Sequence, residues 1–155
     1  MNKTIIVTIA FMAIALNAFT QNLAPSKALS LLKQPYSKVK SSLIQEGYSF
    51  VEKDDEFFIF QKGRYEVTVG LKQNVVSIIS AQENVADYKK IVNAFKESGL
   101  SFTQSSDRST SIPDQIKPTL MLRFDKKPVF TCSIVSAFNV QQTKMITINY
   151  SIYSK

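Results

Sequence analysis

The chain has 155 residues, with 19 Lys and Arg against 12 Asp and Glu, one Cys, no His and no Trp. That length suits one domain, and 45% hydrophobic residues are enough for a core, so the chain is no disordered tail. Without imidazole no Ser–His or Cys–His nucleophile can be assembled within the chain. A single cysteine allows neither an intrachain disulfide nor a thiolate zinc or iron–sulfur site.

The first segment reads as an address. Lys3 gives a positive start, and Ile5 to Phe19 is an almost unbroken apolar run of 15 residues. A membrane-spanning helix needs about 20, whereas a secretory leader needs fewer. Ala18-Phe19-Thr20 then offers small residues before Gln21, so cleavage is expected after Thr20, with Ala18 as second choice. Residues 1–20 are thus expected to be a signal peptide, and the product to be exported, periplasmic or extracellular. Lys3 is the only charge in that leader, so its loss lowers the net charge from +7 by one, to +6. The lysines are scattered, with only Lys89-Lys90 and Lys126-Lys127 adjacent. No nucleic-acid partner is expected of such a chain, nor a membrane span after cleavage; the charge suits a solvated surface or an anionic envelope partner.

Further along, a short helical turn is expected over residues 26–33. Pro35 then opens a helix in which Tyr36, Val39 and Leu43 fall at i, i+3 and i+7, one apolar stripe. Gly47 follows where a residue without Cβ can end the helix. Strands are expected at 48–53, 57–62, 65–71 and 75–81, with turns at Asp54-Asp55, Gly63 and Gln73-Asn74. Asn84 is placed to cap a second helix with Tyr88, Ile91 and Phe95 on its stripe, ended by Gly99. Strands follow at 101–106, 120–124, 129–137 and 144–153. Between them lie a polar loop over 105–118, a turn at 125–128 and another at 139–143.

The two halves match in sequence. Laying residues 36–50 over 88–102, at an offset of 52, gives five identities in 15 positions: Tyr, Lys, Gly, Ser and Phe. Strand alternation puts Ile146, Ile148, Tyr150 and Ile152 on one side and Met145, Thr147, Asn149, Ser151 and Tyr153 on the other. The expected fold is therefore α+β: tandem α-β4 repeats, about 26–82 and 84–155, within one domain over 21–155. They would form a mostly antiparallel sheet with helices packed on one face.

The paired segments Tyr-x-x-(Val/Ile)-x-x-x-(Leu/Phe)-x-x-x-Gly-x-Ser-Phe, with four strands after each, carry a resemblance. The plan is similar to the β-lactamase inhibitory protein architecture and to uncharacterised exported bacterial proteins built on the same repeat. That resemblance implies a sheet face that contacts another macromolecule without a catalytic pocket. The inhibitory family has a disulfide in each repeat and Trp in its binding face; this chain has only Cys132 and no Trp. No binding residue is carried over from it.

Cys132 shares a strand face with Phe130 and Ile134 and is expected to be a buried thiol, with no His to make it a nucleophile. The odd cysteine also leaves an intermolecular disulfide open. Asp54-Asp55-Glu56 reads as a hairpin turn, since the obligatory Gly of a calcium loop is missing. The four glycines are isolated and build no phosphate loop. Phe57-Phe58-Ile59-Phe60 reads as core with a covered edge, ahead of an exposed patch. The polar candidates are Thr131, Ser133, Thr147, Asn149 and Ser151 on the sheet face and Arg108 at the tip of the loop. No catalytic residue, metal or cofactor is expected. The leading expectation is a non-enzymatic, inhibitor-like exported protein that contacts a protein or envelope component through that face and loop. Its alternative is a periplasmic carrier of a small apolar ligand held between helices and sheet. An enzyme restricted to carboxylates, Lys and Tyr is the third.

Overall fold

The structure, a computed structural model, describes residues 23–105, 121–127, 130–136 and 145–152. The leader expected over 1–20 and the loop candidate Arg108 lie outside these residues. Among the described residues three α-helices, α1 (Pro25–Leu31), α2 (Tyr36–Gln45) and α3 (Tyr88–Glu97), accompany eight strands. The first four strands are β1 (Ser49–Asp54), β2 (Phe57–Lys62), β3 (Tyr65–Lys72) and β4 (Val75–Asn84). After α3 come β5 (Ser101–Ser105), β6 (Met121–Lys126), β7 (Phe130–Ser136) and β8 (Met145–Ile152). All pair antiparallel in one sheet of order β1-β2-β3-β4-β8-β7-β6-β5, an α+β fold. Each half is a meander, and the halves join where β4 pairs with β8. Among the described residues no helix is long and apolar enough to cross a membrane.

Residues directly opposite one another in a ladder share a sheet face. One row therefore runs Phe58, Val69, Ile79, Tyr150, Cys132, Phe124, Phe102 from β2 to β5. Beside it on the same face runs Phe60, Val67, Ala81, Ile148, Ile134, Leu122, Ser105. Most of these side chains are fully buried, and they form one cluster with Val39 and Leu43 of α2 and Tyr88, Ile91 and Phe95 of α3. Tyr36 of α2 meets Phe58 with ring centroids 3.9 Å apart, and Phe95 of α3 meets Phe124 at 5.0 Å and Tyr150 at 6.0 Å. Burial of each such aromatic is worth about 1.5–3 kcal/mol, so this cluster dominates stability.

Both longer helices end in the same way. Gly47 and Gly99 take φ of +87° and +76°, and the N–H groups of Tyr48 and Leu100 reach back to the carbonyls of Leu43 and Phe95 at 3.0 and 2.9 Å. This is a Schellman ending, in which the left-handed glycine lets the last carbonyls find partners. Lys62 Nζ then donates to Glu46 O at 2.8 Å, and Lys126 Nζ to Ser98 O at 3.0 Å. Each ammonium lies at the negative end of a helix dipole. The edge strands match as well: β1 is bulged between Phe50 and Glu52, and β5 between Phe102 and Gln104.

Three local expectations need correction. The Asn84 side chain accepts from Ala86 N–H at 2.9 Å, so it caps a 3₁₀ turn (Val85–Asp87), and α3 begins only after it. β4 runs to Asn84, beyond the expected end at 81, because it pairs with β8 along that length. Asp125, expected in a turn, lies within β6 and pairs with Thr131.

Candidate binding face

The opposite side of the sheet is built from the alternate residues. One row runs Glu52, Ile59, Thr68, Ser80, Asn149, Ser133, Arg123, Gln104 across all eight strands. A second runs Asp54, Phe57, Gly70, Ile78, Ser151, Thr131, Asp125, Ser101. Gln82, Thr147 and Val135 belong to a third. The structure thus brings the five sequence candidates together on adjacent strands: Thr131 faces Ser151, Ser133 faces Asn149, and Thr147 sits beside Val135. All five are half-buried. Eight strands about 4.8 Å apart make a surface about 34 Å across.

Two of the five already spend part of their hydrogen-bonding capacity within the sheet. The Asn149 Oδ1 accepts from the Ser80 hydroxyl at 2.6 Å. Thr131 Oγ1 donates to Asp125 Oδ1 in a short hydrogen bond. Asp125 is 7% exposed and also accepts from Arg123 Nε at 3.0 Å and Thr103 Oγ1 at 3.1 Å. Burial alone would raise its pKa; hydrogen bonds from Thr131 and Arg123, the guanidinium charge and Thr103 outweigh it and hold the carboxyl below the ordinary carboxylate value. Sequence reasoning missed this network. Its signal was Asp125 at alternating spacing from Arg123, which puts both side chains on one strand face.

At the other end of the face Gly70 is the pivot. A Cβ there would come within 2.5 Å of Ile78 Cγ2 and 2.9 Å of Phe57 Cε1. The missing side chain lets the Phe57 ring lie across the sheet, although Phe57 stays 47% exposed. The apolar run 57–60 is consequently two-sided: Phe60 is fully buried under the helices' cluster, while Phe57 and Ile59 belong to the polar face.

Cys132 is fully buried, and desolvation followed by the charge of Asp125 pushes its thiol up to about 12. It is therefore no nucleophile at neutral pH. On the same buried side the hydroxyls of Tyr48, Tyr88 and Tyr150 find no hydrogen-bond partner among the described residues. Desolvation raises all three, Tyr88 to about 12. Nearby Glu83, 1% exposed, accepts the Leu23 N–H at 3.1 Å and raises Tyr48 and Tyr150 further. Asp55 is the left-handed residue of the β1–β2 hairpin, with φ of +54°. Among the described residues no group of His, Cys, Asp or Glu is gathered to hold a metal.

No family model matches the chain, and it has no match among curated proteins or solved structures.

Proposed function

We propose that the chain is an exported, non-enzymatic binding protein that contacts a protein or envelope component through the polar sheet face. The carrying observation is the gathering of Thr131, Ser133, Thr147, Asn149 and Ser151 on one face, while Cys132, Ile134, Ile146, Ile148 and Tyr150 of the same strands turn to the other. The eight strands, of five to ten residues, rise about 3.3 Å per residue. With the width above, they offer an area on the order of 700 Å², near the roughly 800 Å² per partner of a standard interface. Hydroxyls and carboxamides suit hydrogen bonding to a polar partner, and Phe57 with Ile59 adds an apolar end. The resemblance to the inhibitory protein architecture supports the same mode, a sheet face that occludes a partner.

A photo-crosslinking residue in place of Ser133 or Asn149, compared with one at exposed Ser37 on α2, tests this in the producing cells. The expected result is a discrete cross-linked product from the two sheet positions and none from Ser37. The same products from all three, or none from the sheet, would count against the reading. The competing carrier gives a different outcome: the purified protein would hold a small molecule by native mass spectrometry, and the sheet positions would yield no product.

A further inference from the structure

The net charge is unevenly placed. Residues 23–48 and 85–100, which hold the three α-helices, contain seven lysines against three acids. All other described residues balance, with seven bases against seven acids. Two of the helix-side lysines are paired, Lys27 with Glu46 at 3.4 Å and Lys90 with Asp87 at 3.0 Å. Lys33, Lys38, Lys89 and Lys96 are exposed and outnumber the one remaining acid there, Glu97. An apolar element adjoins this surface: Ile44 is 50% exposed on α2, Val51 is 50% exposed, and Phe50 is 40% exposed with Lys40 Nζ 5.0 Å from its ring centroid.

We infer that the helix-bearing side docks on an anionic lipid bilayer. Every base on it is a lysine, and both described arginines, Arg64 and Arg123, lie on strands or their turns. Lysine is a diffuse point-charge partner, whereas the arginine fork suits a placed carboxylate or phosphate, as a protein or a nucleotide presents it. Scattered lysines beside a few exposed apolar side chains match a surface of uniform negative charge with an acyl boundary beneath. The bilayer would sit behind the helices and leave the polar sheet face outward. This inference rests on the helices alone and stands apart from the sheet-face proposal.

Co-sedimentation of the chain without its expected leader, residues 21–155, with vesicles of one-third phosphatidylglycerol in phosphatidylcholine tests it. Lys38→Glu with Lys89→Glu is compared with Arg64→Glu with Lys72→Glu, exposed hairpin positions that give the same net charge. Unchanged melting midpoints establish that both variants fold. A lysine near an anionic surface contributes about fivefold in partitioning. The helix pair should therefore lose about 20-fold or more, and the hairpin pair less than about threefold. Equal losses would overturn the inference, because total charge would then decide binding. So would failure of the unaltered chain to bind at low salt, or tighter binding to polyglutamate than to vesicles.

Discussion

Asp125 shows how a single residue on this face is governed by competing terms. Its burial favours the neutral acid, yet donors from Thr131, Arg123 and Thr103 favour the carboxylate and prevail. A carboxyl held below its unfolded value contributes stability that is present above the ordinary carboxylate pKa. That contribution is lost as pH falls through the folded value, on the acid side of about 4. Asp125→Asn keeps the shape and removes the charge. Urea unfolding at pH 7 should show it less stable by about 1–3 kcal/mol, the cost of weakening charge-assisted bonds at a buried site. The gap should close toward pH 2.5; a gap that stayed constant with pH would mean the charge is irrelevant. The candidate residues themselves were legible, because strand alternation alone puts Thr131, Ser133, Thr147, Asn149 and Ser151 on one side of β7 and β8. Which of them is already engaged was not legible, since Asp125 and Ser80 come from other strands and register decides their partners.

Elements are where sequence speaks most clearly. Left-handed Gly47 and Gly99, and the hairpin residues Gly63, Gln73 and Asn74, sit where turn chemistry placed them. Gln73 and Asn74 have φ of +53° and +64°, the pair of left-handed residues that a two-residue hairpin between twisted strands demands. Strand ends were less legible, because an end is set by how far the neighbour pairs, as for β4 against β8. Gly70 marks the limit of the alternating pattern. Beside Val67 and Val69 it reads as an ordinary outward position, yet its neighbours across the sheet, Ile78 on β4 and Phe57 on β2, explain the glycine. Gly70→Ala should force Phe57 and Ile78 off their positions and destabilise by about 1–3 kcal/mol, the usual range for overpacking. Gly70→Ala with Phe57→Ala should recover much of that loss, measured by thermal melting. Absence of recovery would show that Ile78, the nearer neighbour, and not the Phe57 ring requires the glycine.

At the scale of the molecule, β4 is the joint. Its register with β8 covers seven residue pairs, from Ile78 with Ser151 to Asn84 with Met145. The same strand fixes the segment around α1 from both ends. Val76 exchanges backbone hydrogen bonds with Lys33 and Gln34 at 2.8 and 3.0 Å, and Glu83 accepts from Leu23 at 3.1 Å. A half alone would leave β4 an open edge and uncover Ala81, which pairs with Ile148 of β8. The buried cluster is also shared, since α1 packs on α3 and Val39 and Leu43 of the first half lie in one cluster with Ile91 and Phe95 of the second. The halves should therefore unfold as one unit despite their matching element order. Ile148→Ala, at the pair with Ala81, should cost about 2–5 kcal/mol. It should lower one melting transition without splitting it. In hydrogen exchange the amides of β4 and β8 should open together with those of α2 and α3. The edge strand β1, exposed along all six residues and bulged, should open earlier. A second calorimetric transition in the unaltered chain, or exchange of β6 and β7 well ahead of β3, would mean that β4–β8 pairing joins two independently folding pieces.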